Sequence, residues 1–138
     1  MVDSAILQEF EEISRTLSNP QIEAWKSQGK KVLGYNCSYF PEEMVHAAGL
    51  LPFRIRATGC TETPRADSYL ARANCSFARA CLEQLLQGEY DFLDGLVCVS
   101  SCDHVRRMYD NWKQALQTGF MTVMSLPKKV EAGDSTVA

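Results

Sequence analysis

Apolar residues recur along this chain at two spacings, and the spacings take turns. From Asp3 to about Leu17, the positions Ile6, Leu7, Phe10, Ile13 and Leu17 return every three or four residues, which predicts an amphipathic helix ended by Asn19-Pro20. A second short helix is expected from Pro20 to Gln28, stopped by Gly29. Lys31 to Asn36 (KVLGYN) reads as a short buried strand, Pro41 to Ala48 as a helix closed by Gly49, and Leu51 to Arg56 (LPFRIR) as another strand. Ala57 to Asp67 mixes Gly, Thr, Pro and charge without a period, so it is expected to be a loop, long enough for a functional one. Helical spacing resumes from about Cys75 to Leu86, where Phe77, Ala78, Cys81, Leu82, Leu85 and Leu86 form one face ended by Gly88.

Phe92 to Ser100 (FLDGLVCVS) follows, and its Leu96 to Val99 core suits a central strand buried on both sides. Asp103 to Gln117 carries Val105, Met108, Tyr109, Trp112 and Leu116 at helical spacing, Gly119 stops it, and Met121 to Leu126 is the last strand. Strand and helix alternating in this way predict a three-layer α/β domain with a roughly four-stranded parallel sheet, right-handed crossovers, and N-terminal helices preceding the sheet. The expected division is a helical segment over residues 1–30, the α/β domain over 31–127, and a tail or truncated linker over 128–138.

At 138 residues, with 46% of them hydrophobic, the chain can bury the core of one ordinary domain. A net charge of −3, with basic residues scattered rather than clustered, argues against a nucleic-acid partner. No apolar stretch reaches the roughly 20 residues that a membrane helix requires. The acidic N-terminus, MVDSAILQEFEEISR, lacks the basic start of a secretory signal, so a cytoplasmic location is expected.

That compartment changes how the six cysteines read, because reducing conditions disfavour structural disulfides. In an open parallel sheet, ligands gather at the carboxyl ends of the strands, where helix N-termini also point. Cys37 follows the first strand, Cys75 opens a helix, and Cys102 lies between a strand and its helix, so all three are expected at that edge. Helix N-termini favour thiolates, the form that binds metal. Cys81 and Cys98 fall on apolar faces, where free cysteine acts as a small hydrophobe. Cys60, in the loop, points to no role. From the residues alone, packing and metal ligation stand about level for the cysteines as a set.

Two longer stretches carry a family resemblance. GYNCSYFPEEMVHAAGLLPFRI and ADSYLARANCSFARACLEQLLQGEYDFLDGLVCVSSCDHVRRMYDNW contain the Cys-Ser-Tyr-x-Pro-Glu-Glu, Asn-Cys-Ser-Phe-x-Arg and Ser-Cys-Asp-x-x-Arg-Arg blocks in order. From about Gly34 to Leu126 the chain resembles the N-terminal domain of the 2-hydroxyacyl-CoA dehydratase and benzoyl-CoA reductase subunit family. The resemblance implies a lyase subunit that works anaerobically by radical chemistry. Its expected cofactor is a 4Fe-4S cluster, and its expected partners are an acyl-CoA substrate, a homologous partner subunit and an ATP-dependent activator that donates the electron. Reduction of the thioester carbonyl to a ketyl radical would expel the hydroxyl in a dehydratase, and a related transfer would reduce the ring in a benzoyl-CoA reductase.

Carried over residue by residue, the resemblance makes Cys75 and Cys102 cluster ligands and Ser38 a substrate contact in a catalytic role. Cys37 falls on another recurring cysteine. The strand position makes it a third metal ligand, whereas its motif points to the substrate side. Family subunits are much longer and supply another cluster cysteine from a second α/β domain, so a fragment, a truncated product and a stand-alone descendant are all open. Arg54 and Arg56 stand where some dehydratases carry an acid.

Among the other polar residues, His46 reads as a surface or packing residue. His104 is more suggestive beside Cys102, Asp103 suits an ordinary N-cap, and Arg79, Arg106 and Arg107 suit surface ion pairs or a CoA phosphate. Two readings of other classes compete: a cluster-free interaction module that keeps the fold, and a stand-alone redox or zinc protein using Cys37, Cys75 and Cys102.

Overall fold

The computed structural model describes residues 4–115 and 119–127. Five helices and four strands alternate as expected: α1 (Ser4–Arg15), α2 (Pro20–Ser27), β1 (Val32–Tyr35), α3 (Glu42–Ala47), β2 (Leu51–Arg54), α4 (Ser76–Leu86), β3 (Gly95–Val99), α5 (Asp103–Ala115) and β4 (Phe120–Met124). A short 3-10 turn, Ala66–Ser68, ends the long loop. Residues 116–118 and the expected tail, 128–138, lie outside the described residues. No helix among those described is long and apolar enough to cross a membrane.

All four strands are parallel, in the order β2-β1-β3-β4. The chain therefore leaves β1 in one direction toward β2, then crosses back to β3 and continues to β4. The order reverses between β1 and β3, and in open α/β sheets the binding crevice lies at such a reversal.

Side chains alternate across a strand, and β3 shows the consequence on both faces. Leu96 and Cys98 join the cluster that contains Ala78, Cys81 and Leu82 of α4 and Met108 and Trp112 of α5. Val97 and Val99 join the opposite cluster, with Tyr35, Phe40 and Val45 of α3. Helices thus cover both faces of the sheet, giving three layers, and every residue of β3 is buried as its unbroken apolar run predicts. Each large side chain sealed there, Leu96 for example, contributes roughly 1.5–3 kcal/mol. Gly34 lets β1 approach this core closely, since a Cβ there would sit 2.9 Å from Leu93 Cδ1.

Helix boundaries follow from local chemistry. Asn19 caps α2, its Oδ1 accepting the Ile22 N–H at 3.0 Å, with Pro20 at the first helical position. Gly29, Gly49 and Gly88 take the positive φ values (73°, 77° and 85°) that turn the chain out of α2, α3 and α4. Lys26 of α2 donates to Phe92 O (2.7 Å) and Asp94 Oδ2 (3.1 Å), and the same carboxylate accepts the Val32 N–H at 2.8 Å, which fastens α2 to the starts of β1 and β3.

Two expectations about packing change. The apolar stripe of α1 buries nothing: Ile6, Leu7 and Phe10 are 48%, 56% and 65% exposed. Its C-terminal end is instead held by Arg56, whose Nη2 donates to the carbonyls of Ile13 (3.3 Å) and Thr16 (2.9 Å). Phe77, expected on the buried face of α4, is 41% exposed, whereas Ala78, Cys81, Leu82 and Leu85 of the same face are buried.

The 57–67 loop is fastened from below. Glu83 of α4 is fully buried, and its Oε2 accepts the N–H groups of Arg65 and Ala66, each at 2.8 Å. Arg65 Nη1 donates to Leu86 O at 2.8 Å, and Arg79 pairs with Asp67 at 2.5 Å while donating to Thr63 Oγ1 at 2.8 Å. The Arg79 and Thr63 hydrogen bonds hold the Asp67 carboxyl below the ordinary aspartate range.

Candidate functional site

At the reversal point, β1 and β3 are joined beyond their ladder by one side chain. Asn36 is 2% exposed; its Oδ1 accepts the Val99 N–H at 2.6 Å and its Nδ2 donates to Val99 O at 3.4 Å. This pairing fixes the separation of the two segments that leave the sheet there, the Cys37 turn and Ser100 to Cys102.

Cys37 is the only described non-glycine residue with positive φ, 81°. For a side chain with a Cβ, this conformation costs on the order of 1–3 kcal/mol and persists where surroundings impose it. The imposing contacts are visible. Asn36 is locked on one side, the Phe40 N–H donates to Cys37 O at 3.3 Å on the other, and Phe40 stacks on Tyr35 with ring centroids 4.7 Å apart. The Tyr35 hydroxyl donates to Glu42 of α3, and burial together with that carboxylate pushes the phenol up to about 12. The turn carrying Cys37 and Ser38 is therefore braced between β1 and α3. Ser38 is exposed at its tip.

Cys75 and Cys102 stand immediately before α4 and α5. Cys75 has extended backbone (φ −62°, ψ 149°), and its carbonyl accepts the Arg79 N–H at 3.2 Å. The Cys102 carbonyl accepts the Arg106 N–H at 3.2 Å. Cys75 is half-buried, Cys102 is exposed, and neither thiol makes a hydrogen bond among the described residues. The two segments are tied by their neighbours, because His104 Nδ1 donates to Asn74 Oδ1 at 3.2 Å. Each of the three sequence-selected cysteines thus follows a strand or precedes a helix at the carboxyl end of the sheet.

Among the described residues, no group of three or more His, Cys, Asp or Glu side chains is placed to hold a metal ion. Two unbonded thiols at adjacent helix starts suit an iron-sulfur cluster as a share of its ligands. A complete ligand set is not formed among the described residues, and the arrangement there gives no support to a stand-alone zinc site built on Cys37, Cys75 and Cys102.

A cleft of about 760 Å³ opens beside Cys37. Asn36, Cys37 and Ser101 line one end, and Phe53, Arg54 and Arg56 line the strand beyond it. Asn36 and Asn74 were not singled out by sequence; a lone polar residue directly after an apolar strand, and another directly before a helix-opening cysteine, were the available signals.

The remaining thiols behave otherwise. Burial pushes Cys81 and Cys98 up to about 12, and burial also raises Cys60. At pH 8, alkylation followed by mass spectrometry should therefore label Cys102 and spare Cys81 and Cys98 until the protein unfolds, since the thiolate is the nucleophile. The same two groups set an alkaline limit. Their raised folded-state pKa values mean that their contribution is fully present below the ordinary thiol range near 9 and is lost as pH rises from there toward about 12, so Tm should fall across that window.

Comparison with known proteins shows which family the chain resembles. Residues 37–138 match the family model described as 2-hydroxyglutaryl-CoA dehydratase, D-component. Over 117 residues the chain is 36% identical to the beta subunit of (R)-2-hydroxyglutaryl-CoA dehydratase from Acidaminococcus fermentans, covering 85% of this chain and 31% of that protein. It is 31% identical over 129 residues to the (R)-phenyllactyl-CoA dehydratase beta subunit of Clostridium sporogenes, covering 90% of this chain and 34% of the relative. It is also 31% identical over 107 residues to a benzoyl-CoA reductase subunit of Thauera aromatica, covering 75% and 28%. The chain spans about a third of the length of the curated relatives it matches.

Proposed function

Because the chain belongs to the 2-hydroxyglutaryl-CoA dehydratase D-component family, we propose that it is the cluster- and acyl-CoA-binding domain of a 2-hydroxyacyl-CoA dehydratase-type subunit. The observation that carries this reading is the hydrogen bond between His104 and Asn74, which ties the segment just before Cys75 and α4 to the start of α5 beside Cys102.

In this reading Cys75 and Cys102 ligate a 4Fe-4S cluster, Cys37 borders it, and the remaining ligands come from outside these 138 residues. When bound, such a cluster supplies single electrons at low potential. What the chain itself contributes is placement and charge. The N-termini of α4 and α5 bring the positive ends of their helix dipoles beside Cys75 and Cys102. The His104–Asn74 hydrogen bond keeps the two sulfur-bearing segments side by side, and the braced 37–40 turn offers the Ser38 hydroxyl to an acyl-CoA. A homologous partner subunit and an ATP-dependent activator belong to the same proposal, as does a cytoplasmic, anaerobic setting.

The test is anaerobic reconstitution of the chain with iron and sulfide, followed by metal counting and electron paramagnetic resonance. Wild type should turn brown and retain iron, and Cys75→Ala and Cys102→Ala should each lose most of it; undiminished iron in both variants would remove the ligand assignment. The exposed apolar stripe of α1 favours a second reading, a cluster-free module that docks on a partner. A colourless wild-type protein after reconstitution would favour that second reading.

A further inference from the structure

The sheet ends on two strands, β2 and β4, and they differ in what they offer to a further strand. On the β2 side, the Leu51 and Ile55 N–H groups donate to Lys31 O (3.0 Å) and Tyr35 O (2.7 Å), at the two ends of β1. Pro52 and Arg54, in the alternate register, therefore turn their backbone outward. Proline has no N–H to offer and Arg54 adds an exposed charge, and both features oppose edge pairing.

β4 has neither. From Gly119 to Pro127 no residue is charged, and no proline falls within the strand. Phe120 is 57% and Val123 40% exposed, and among the described residues β4 pairs with β3 alone. Met124 O accepts the Ser100 N–H at 2.9 Å, which turns the Met124 backbone toward β3. By alternation the Phe120 and Thr122 backbones face the same way, and Met121 and Val123 present their N–H and C=O groups to the open edge. An uncharged apolar edge of this kind is a template for another strand.

We propose that the occupant of this edge is the β4 of a second copy of the chain, paired antiparallel about a two-fold axis at Thr122. The strand is self-complementary in that register. Each Met121 exchanges two backbone hydrogen bonds with the second copy's Val123, and Phe120 lies opposite Met124. The two Thr122 side chains meet across the axis as a non-hydrogen-bonded pair, the closer kind, with Cα atoms about 4.5 Å apart. No like charges are brought together. The exposed stripe of α1 is a poorer surface for self-association, since Glu9 and Glu11 border it on its two sides and would meet carboxylates again. With β2 blunted, one edge alone is competent to pair, so association closes as a dimer and does not extend into a filament.

Sedimentation of the full chain in reductant, from about 1 µM to about 1 mM, tests this over a range that suits an interface as small as one strand pair. Wild type is expected to move from the 15.5 kDa chain mass toward twice that mass as concentration rises. Thr122→Lys opposes two ammonium groups on the axis and should weaken dimerisation about tenfold, as should Thr122→Glu. An equimolar mixture of the two should dimerise again, which also shows that both variants fold. Thr122→Cys, treated with a mild oxidant, should form an interchain disulfide that peptide mass spectrometry maps to position 122 in both chains, because the pair lies within disulfide reach. Phe10→Asp, on α1, should dimerise like wild type. A wild type that keeps the single-chain mass throughout overturns the proposal. So do undiminished dimerisation in Thr122→Lys, a Lys and Glu mixture that stays monomeric, a crosslink that maps elsewhere, or loss of the dimer in Phe10→Asp. Iron plays no part in these measurements, so the cluster assignment and this proposal stand or fall separately.

Discussion

Replacing Asn36 by leucine is expected to lower the free energy of unfolding by roughly 2–4 kcal/mol, although the two side chains are close in size. The cost comes from β3 and not from the mutated residue. With the amide gone, the Val99 N–H, buried at the sheet's reversal point, loses the acceptor it now holds at 2.6 Å, and its carbonyl loses the weaker donor at 3.4 Å. The backbone ladder between β1 and β3 ends at the Tyr35 and Val97 pair, so no main-chain group of β1 is registered to take over. Asn36→Asp should cost less, because it keeps an acceptor for the N–H while facing the Val99 carbonyl with an oxygen. Urea denaturation gives the energies, and amide exchange at Val99 gives the location. A leucine variant within about 0.5 kcal/mol of wild type, the usual range for surface changes, would mean that the clamp is dispensable.

The second large effect belongs to Glu83. Glu83→Ala removes the single oxygen that accepts two backbone N–H groups, those of Arg65 and Ala66, along with the other carboxyl oxygen's bond from Gln87 Nε2 at 3.0 Å. Both backbone donors lie where the long loop meets α4, and Ala66 is fully buried, so roughly 2–4 kcal/mol should be lost and the 57–67 loop should become susceptible to proteolysis. Glu83→Gln keeps an oxygen at the same place and should retain more than half of the stability that alanine loses. Equal losses in the two variants would assign the effect to charge; the expected ordering assigns it to hydrogen-bond acceptance.

Both effects arise at residues whose importance lies in what they hold. Asn36 holds the Cys37 turn against the segment leading to Cys102, and Glu83 holds the long loop against the C-terminal half of α4, the helix that Cys75 opens. The candidate site is therefore assembled by buried polar contacts beneath it, with its own thiols left free of hydrogen bonds.

Much of this was legible in the one-dimensional pattern. The short apolar strand runs, the helical faces of α4 and α5 and the glycine stops fall within a few residues of their expected places, because each reflects near-neighbour geometry that the chain carries locally. The motif blocks around Cys37, Cys75 and Cys102 likewise pointed to the family that the 37–138 match shows. The α1 stripe was the misleading case. Its spacing of Ile6, Leu7 and Phe10 is as regular as that of α5, yet α5 buries Val105, Met108, Tyr109 and Trp112 while α1 buries nothing. Periodicity states that a helix has an apolar side; it does not state what, if anything, lies against it.

By itself, then, the order of residues determined the succession of elements and which thiols stand at strand and helix ends, since these depend on contacts a few positions apart, and the alternation of strand and helix in that succession predicted the parallel sheet. Only the tertiary structure decided the strand order that puts the reversal between β1 and β3, the Asn36 and Glu83 contacts spanning 63 and 17 to 18 positions, and the cleft beside Cys37. Those depend on which distant segments meet, and a hydrogen bond or an uncompensated charge acquires its meaning only once water has been excluded by that meeting.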